Sequence, residues 1–259
     1  MMKISRIALS IAGSDPSGGA GVQADLKTFH ALGVYGAAVI AALTAQNTVG
    51  VTAVKAVQPA FIEAQLEALL DDIHVDAAKT GMLLTAGAVR CVAGAVRRHK
   101  LKNLVVDPVM VSSSGKRLLT KDAVDALVGE LLPLATLVTP NIDEAELLSG
   151  IRITSPEDAE DAGRRILALG PRNVLIKGGH LKGDAVDFLF TGKKVVRFTS
   201  MRVHGKSLHG AGCVYSAAIT ACLAKGMKLA DAVAEAKAFV SNAIKTALPV
   251  GKGRLPVGQ

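Results

Sequence analysis

The chain has 259 residues, half of them hydrophobic, and a formal net charge of +8 at pH 7. This length suffices for one large core, so we expect a single domain over residues 1–259. The charge alone would suit a nucleic-acid binder, but the basic residues are spread along the chain. Only 3% of the residues are aromatic, so few rings are available to stack on bases. A basic surface that attracts anionic small molecules is the simpler interpretation.

Targeting signals and cysteine pairs are not evident. The apolar stretch 7–12 is too short for the core of a signal peptide. The weakly polar stretch 33–45 is shorter than the roughly 20 residues that a membrane span needs. Three cysteines form no CxxC pair, so we expect neither a disulfide nor a zinc site, and free thiols suit a reducing compartment. These features predict a cytoplasmic protein without a membrane segment.

Short apolar runs that end abruptly in polar or glycine residues recur along the chain and predict buried parallel strands. They stand at residues 7–12, 104–106, 137–138 and 174–176. Helical spacing begins after Pro59, and another helix is predicted to begin at Pro156, with Ser155 and Asp158 as its cap and Gly170 as its stop. This alternation predicts an α/β fold with three layers, αβα, around a mostly parallel central sheet.

Ligands of such a sheet bind beyond the carboxyl ends of the strands. The motif HGAGC at 209–213 precedes a helical run of small residues at 214–225. Gly210 and Gly212 leave backbone N–H groups uncovered, and the positive end of the helix dipole lies beside them. This turn is therefore predicted to hold an anion, with Cys213 next to it. The alternative is a plain glycine turn with a buried cysteine.

Six motifs occur in order along nearly the whole chain. They read AGSDPSGGAGVQADLK at 12–27, LTAQNT at 43–48, DPVM at 107–110, TPNIDEAE at 139–146, KGGH at 177–180 and HGAGC at 209–213. With them the chain resembles the hydroxymethylpyrimidine and phosphomethylpyrimidine kinases of thiamine biosynthesis, members of the ribokinase-like superfamily. The resemblance implies a ribokinase-like fold, Mg²⁺ as cofactor and ATP as co-substrate, and we expect a homodimer.

The resemblance implies a substrate site beside the first glycine-rich loop. A pyrimidine with ring nitrogens and an exocyclic amine needs a paired donor and acceptor, which the Gln46 carboxamide supplies. By resemblance, Asp25 on the first helix contacts the substrate, and Gly13 lets it approach the backbone. Met82 and Val109 resemble the family's apolar walls around the ring. Without the family resemblance, Gln46 would be interpreted as a polar cap at a strand end and Asp25 as a solvated helix charge. Met82 and Val109 would be interpreted as core residues.

Phosphoryl transfer requires a metal, cationic side chains and backbone donors to neutralise charge on the moving group. Asn141 and Glu144 match the superfamily's N-x-x-E motif, associated with magnesium and phosphate. Asp107 is expected to assist the metal, and Lys177 to reach the nucleotide phosphates as a point charge. Alone, that lysine would be interpreted as exposed. Asn-x-x-Glu is also a helix capping box, and the two roles are compatible.

Cys213 stands where the sugar kinases of this superfamily have an aspartate base. A thiol at a helix N-terminus can have a lowered pKa. We therefore expect Cys213 either to accept the hydroxymethyl proton or to hold that hydroxyl in line with the γ-phosphate, and the choice stays open. Gly210, Ala211 and Gly212 are expected to supply N–H donors to the γ-phosphoryl group.

The nucleotide half of the chain departs from the family pattern. HGKSL at 204–208 replaces an Asp-Thr-x-Asn-Thr run, Ala211 replaces a threonine and Ser113 a lysine, while Thr80 replaces an isoleucine. Two or three hydroxyls near the nucleotide are thereby lost. The preferred phosphate donor consequently stays open.

Together these features predict a kinase that phosphorylates 4-amino-5-hydroxymethyl-2-methylpyrimidine and then its monophosphate. Two alternatives stay open. One is a pyridoxine or pyridoxal kinase, because that ring also carries a hydroxymethyl group. The other is a basic, non-catalytic nucleotide-binding regulator that keeps the fold but has lost turnover.

Overall fold

The computed structural model describes residues 6–110, 119–178, 184–202 and 208–259. Within these ranges the main sheet consists of β1 (Ile7–Ser14), β2 (Tyr35–Gln46), β3 (Val51–Ala56), β4 (Ala77–Thr80), β5 (Leu104–Val106), β6 (Leu137–Val138), β7 (Asn173–Ile176), β8 (Ala185–Thr191) and β9 (Lys194–Ser200). Two short strands, β10 (Leu208–His209) and β11 (Leu255–Pro256), pair separately. The helices are α1 (Gly21–Ala31), α2 (Pro59–Leu70), α3 (Ala86–Arg98), α4 (Lys121–Ala126), α5 (Ile142–Ser149), α6 (Pro156–Leu167), α7 (Ala211–Ala224) and α8 (Leu229–Lys245).

The strand order is β3-β2-β1-β4-β5-β6-β7-β8-β9. The six strands from β2 to β7 in this order pair in parallel, whereas β3 at one edge and β8 and β9 at the other pair antiparallel. The carboxyl ends of the parallel strands therefore share one edge, at which the loops after β1, β2, β4, β5, β6 and β7 converge.

Alternate residues of the strands pack into cores on opposite faces of the sheet, as the two-residue period of a strand requires. Helices α2 to α4 cover one face over a core that includes Leu9, Val106 and Val138. Helices α5 and α6 extend this layer. Helices α1, α7 and α8 cover the other face over a core that includes Val105 and Leu137. The predicted αβα architecture is thus confirmed. Within the described ranges, no helix combines the length and apolar character needed to cross a membrane.

The strands and helices predicted from the sequence are confirmed. The four apolar runs lie in β1, β5, β6 and β7. Helix α2 begins at Pro59, and α6 begins at Pro156 with Ser155 and Asp158 in a capping box. The α6 helix ends at Leu167, and Gly170 follows with a φ of 109°. The antiparallel edges and the long β2 strand were not predicted.

Thr80, the last residue of β4, carries a buried hydroxyl that has no hydrogen-bond partner among the described residues. An unpaired buried hydroxyl costs about 1–3 kcal/mol. We therefore expect Thr80→Val to raise the free energy of unfolding by roughly that amount, measured by urea denaturation. Thr28→Val is the matched control, because the buried Thr28 hydroxyl donates to the Ala24 carbonyl oxygen at 2.8 Å. Equal effects of the two substitutions would contradict this interpretation.

Candidate functional site

A cavity of about 810 Å³ opens at the carboxyl edge of the parallel strands. Every predicted site residue except Asp25 lines it, namely Gly13, Gln46, Met82, Asp107, Val109, Asn141, Glu144, Lys177, Gly210, Ala211, Gly212 and Cys213. These residues come from seven separate segments of the chain. The edge of the sheet expected to bind ligands therefore brings them together.

One end of the cavity combines apolar side chains with polar groups, among them the Gln46 carboxamide. Gln46 ends β2, and Gly13 lies near the end of β1 beside a register irregularity. A Cβ atom at Gly13 would lie only 2.5 Å from Met82 Cε. Glycine at this position therefore allows the Met82 side chain to pass over the strand, and Val109 completes the apolar lining. This end has the form of a slot for a flat ring with one polar edge.

Asp25 lies behind the cavity wall instead of on it. Its Oδ1 atom accepts a hydrogen bond from Lys79 Nζ at 2.8 Å, and its Oδ2 atom accepts one from Ser10 Oγ at 2.5 Å. Both charged side chains are fully buried. Both oxygens of the Asp25 carboxylate are thus engaged, one by Lys79 and the other by Ser10. The expected direct contact of Asp25 with the substrate stays a prediction.

Lys79 itself lines the cavity and was missed by the sequence analysis. Burial alone would lower the pKa of Lys79, but the adjacent Asp25 carboxylate reverses this and raises it. Lys79 thus brings a positive charge to the cavity floor. A lysine in the short apolar strand β4 gives little signal in a sequence, because its partner lies 54 residues away.

The HGAGC turn forms the anion loop (residues 210–212) at the start of α7. Gly210 has a φ of 83°, a conformation that favours glycine. A Cβ atom there would also overlap the Gly19 carbonyl oxygen. A Cβ atom at Gly212 would lie 3.4 Å from Lys177 Nζ. The loop amides, the helix N-terminus and the Lys177 ammonium group therefore surround one position suited to a phosphoryl group.

Two carboxylates adjoin this position. Asp107 Oδ1 lies 2.8 Å from Lys177 Nζ, and Asp107 Oδ2 accepts a hydrogen bond from Ser216 Oγ at 3.2 Å. Glu144 Oε2 accepts the Asn141 N–H at 2.9 Å, and Asn141 Oδ1 accepts the Glu144 N–H at the same distance. The capping box is therefore present, and it leaves the Glu144 side chain on the cavity wall. Burial raises the pKa of Glu144, and Lys177 opposes that shift.

These residues fit a magnesium ion. Mg²⁺ binds proteins through one or two carboxylates and completes its octahedral shell with water and substrate phosphates. Asp107 and Glu144 provide the two carboxylates, and the anion loop provides the adjacent phosphate position. The interpretation of Lys177 as an exposed lysine is wrong, because its side chain is only 13% exposed.

Cys213 lies in the first turn of α7, half-buried on the cavity wall. The expected lowering of its pKa is wrong. Burial raises the pKa of Cys213 to about 11, Asp107 and Asp25 raise it further, and Lys79 opposes them. Desolvation and two carboxylates thus disfavour the thiolate, and the positive charge of Lys79 does not offset them. The sulfur is consequently a thiol at neutral pH.

Several positions raised by the sequence lie outside the described residues: Ser113, Gly179, His180 and residues 204–207. At the far end of the cavity, the buried pair of Lys237 Nζ and Asp187 Oδ2, 2.6 Å apart, was also missed. It joins α8 to β8.

Comparison with known proteins identifies the family. A family model described as phosphomethylpyrimidine kinase matches residues 15–258. The chain belongs to this phosphomethylpyrimidine kinase family. The resemblance inferred from the six motifs is therefore confirmed, and the chain is a phosphotransferase by family.

Two relatives show how far the likeness extends. The chain is 52% identical to the hydroxymethylpyrimidine/phosphomethylpyrimidine kinase of Rhizobium meliloti over 256 residues, which cover 97% of this chain and 96% of that kinase. It is 50% identical over 250 residues to the thiamine biosynthesis bifunctional protein ThiED of Geobacter sulfurreducens, covering 96% of this chain and 51% of that protein. The phosphomethylpyrimidine kinase chain thus spans about half the length of the Geobacter relative.

Two solved structures share the fold. The phosphomethylpyrimidine kinase of Clostridium difficile 630 superposes with a TM-score of 0.83 at 44% identity, covering 92% of this chain and 99% of that chain. The pyridoxal kinase of Bacillus subtilis, solved as an ADP complex, gives a TM-score of 0.90 at 40% identity, covering 98% and 97%. A phosphomethylpyrimidine kinase and a pyridoxal kinase thus both have the ribokinase-like fold of this chain.

Proposed function

We propose that this phosphomethylpyrimidine kinase uses ATP to phosphorylate 4-amino-5-hydroxymethyl-2-methylpyrimidine and then its monophosphate, in thiamine biosynthesis. The observation that carries the proposal is the shared cavity. A slot for a flat polar-edged ring and an anion loop with a lysine open into the same 810 Å³ space, and Cys213 lines it as well. The names of the relatives support the same substrate.

Recognition of the pyrimidine rests on Gln46. Its carboxamide both donates and accepts, as a ring nitrogen next to an exocyclic amine requires. Met82 and Val109 exclude water from the faces of the ring, and Gly13 keeps the backbone close to it. The hydroxymethyl group then extends along the cavity towards the loop.

Positive charge and N–H donors that are in place before the reaction begins stabilise the transfer of the phosphoryl group. When bound, Mg²⁺ held by Asp107 and Glu144, directly or through water, neutralises the phosphate oxygens of ATP. The amides of the anion loop donate to the moving phosphoryl group, and Lys177 contributes its positive charge beside them. Asn141 fixes the Glu144 carboxylate through the capping box. Cys213 holds the hydroxymethyl oxygen for in-line attack.

A pyridoxal kinase is the second candidate, because the Bacillus subtilis pyridoxal kinase has the higher TM-score of the two structures described above, 0.90 against 0.83. Pyridoxal also carries a hydroxymethyl group on a flat ring. A shared fold does not by itself assign a substrate. The relative at 52% identity is named for the pyrimidine and the relative at 50% for thiamine biosynthesis, and these names favour the pyrimidine.

We further propose that the chain acts as a single domain, as a homodimer and in the cytoplasm. Exposed apolar side chains on the edge hairpin of β2 and β3 support the dimer. Leu43 is 47% exposed and Val49 is 70% exposed, and Val250 nearby in the fold is 48% exposed. Exposed apolar side chains at a sheet edge are suited to pack against a second subunit.

Gln46→Leu is expected to weaken binding of the pyrimidine by about 1–3 kcal/mol, because polar ring atoms are then buried without partners. Isothermal titration calorimetry of the pyrimidine measures this directly. ADP binding by the same variant is the control and should stay unchanged. Wild-type affinity of the variant for the pyrimidine would show that Gln46 has another role.

A further inference from the structure

His209 connects the two halves of the cavity. It is the last residue of β10, where it pairs with Pro256 of β11, and it directly precedes Gly210 of the anion loop. Its imidazole is buried. The Nε2 atom lies 2.8 Å from Asp15 Oδ2 and 3.0 Å from the amide nitrogen of Gln46. One ring nitrogen thus faces both a carboxylate and the proposed pyrimidine-reading side chain.

The partners of Asp15 decide the protonation of that ring nitrogen. Asp15 Oδ1 accepts hydrogen bonds from the backbone N–H and the hydroxyl of Ser17 at 2.9 and 2.7 Å. Asp15 Oδ2 accepts the Ala20 N–H at 2.9 Å. Burial opposes ionisation, but the hydrogen bonds from His209 and Ser17 outweigh it and lower the pKa of Asp15. An ionised carboxylate only accepts, so His209 Nε2 carries a hydrogen and donates.

The same reasoning fixes the Gln46 carboxamide. A donating Nε2 cannot face an amide N–H, which also donates. A second conflict occurs at Thr44, whose hydroxyl donates its single hydrogen to the Ser14 carbonyl oxygen at 2.9 Å and lies 3.2 Å from Gln46 Oε1. Exchanging the amide nitrogen and oxygen removes both conflicts at once. The single Nε2–H of His209 is then shared between Asp15 Oδ2 and Gln46 Oε1 in a three-centre hydrogen bond, and the Gln46 NH₂ group donates to Thr44 Oγ1.

We infer that His209 is a positioning residue that fixes the orientation of the Gln46 carboxamide for pyrimidine recognition. The inference rests on the proposed function of Gln46. In this orientation Oε1 keeps one lone pair to accept from the exocyclic amine, and the NH₂ group keeps one hydrogen to donate to a ring nitrogen. Without His209 only Thr44 holds the carboxamide, so the opposite orientation, which presents the wrong pattern to the ring, becomes more populated.

The position of His209 gives this contact a second consequence. Gly210 follows it directly, and a Cβ atom at Gly210 would overlap the Gly19 carbonyl oxygen, so this turn packs closely against the loop after β1. The imidazole is therefore anchored to the same rigid turn that receives the phosphoryl group.

Nitrogen-15 NMR of the histidine rings in the ligand-free enzyme tests whether His209 Nε2 carries a hydrogen. We expect a protonated Nε2 at His209, with the resonance assigned by its loss in His209→Gln. A His209 ring that carries hydrogen on Nδ1 alone would overturn the inference. This measurement uses the wild-type chain, so it holds even if a variant fails to fold.

Calorimetry of pyrimidine binding and of ADP binding tests whether His209 orients the Gln46 carboxamide. His209→Leu should weaken pyrimidine binding about tenfold, whereas His209→Gln, which keeps an N–H at the place of Nε2, should restore most of it. In a Gln46→Leu background, His209→Leu should cause no further loss, because both act through the same contact. ADP binding should be unchanged in each variant.

Three results would overturn the inference: additive losses in the double variant, equal losses of pyrimidine and ADP binding, or no loss in His209→Leu. The first two would indicate a general structural role. If the wild-type chain does not bind the pyrimidine at all, the proposed function fails instead, and the NMR result still decides the state of His209.

Discussion

Cys213→Ala is expected to lower kcat for the pyrimidine by about 10²-fold, whereas Cys213→Ser should retain activity within about tenfold of the wild type. The pKa of the thiol is about 11, so the sulfur is protonated at neutral pH. The proposed function therefore assigns Cys213 to holding the hydroxymethyl group and not to abstracting its proton. A serine hydroxyl preserves such a hydrogen bond, and an alanine methyl group does not. Single-turnover kinetics, which isolate the chemical step, provide the measurement.

The pH profile separates the two roles that the sequence left open for Cys213. A base is active only in its deprotonated form, so with a pKa of about 11 the rate would rise about tenfold per pH unit above neutrality. Positioning by the thiol predicts a flat profile over the same range. A steep rise that disappears in Cys213→Ser would contradict positioning. Wild-type turnover by Cys213→Ala would leave Cys213 only a packing role.

Glu144→Gln is expected to lower kcat by about 10²- to 10³-fold, because it removes a negative charge from the proposed metal position. The free energy of unfolding should change little, since the amide oxygen still accepts the Asn141 N–H of the capping box. Turnover as a function of magnesium concentration, with urea denaturation alongside, measures both effects. The combination separates the metal role from the helix cap.

Glu146→Gln is the matched control for this experiment. Glu146 lies on the same helix α5, and its carboxylate also accepts a backbone N–H, from Ile153 at 2.6 Å. It is not among the described residues that line the cavity. We expect this variant to keep wild-type turnover. Unchanged turnover and magnesium dependence in Glu144→Gln as well would leave Glu144 only its capping role.

The parallel part of the fold could be predicted because its strands are buried on both faces. Continuous apolar runs that end in polar residues, such as the run before Asp107, indicate both a strand and the edge where ligands bind. The edge strands gave weaker signals. β9, for example, alternates exposed and half-buried residues, and antiparallel pairing at an edge depends on neighbours that a local pattern does not reveal.

The site could be predicted as a set of residues but not as an electrostatic unit. The six motifs identified eleven of the cavity residues and the family resemblance added Met82, and these residues meet because the carboxyl ends of parallel strands share one edge. Asp25 of α1 is buried against Lys79 of β4. The pKa of Cys213 depends on these two charges and on Asp107, which directly follows β5. Local sequence around Cys213 shows only a helix N-terminus, whereas the burial that raises the pKa of the thiol is not visible in it.

Steady-state kinetics with ATP and Mg²⁺, comparing 4-amino-5-hydroxymethyl-2-methylpyrimidine with pyridoxal, test the central claim most directly. The proposed function predicts a higher kcat/KM for the pyrimidine, and a diphosphate product when the monophosphate is supplied. A higher kcat/KM for pyridoxal would assign the cavity to the other ring. Nucleotide binding without turnover of either ring would contradict a catalytic role altogether.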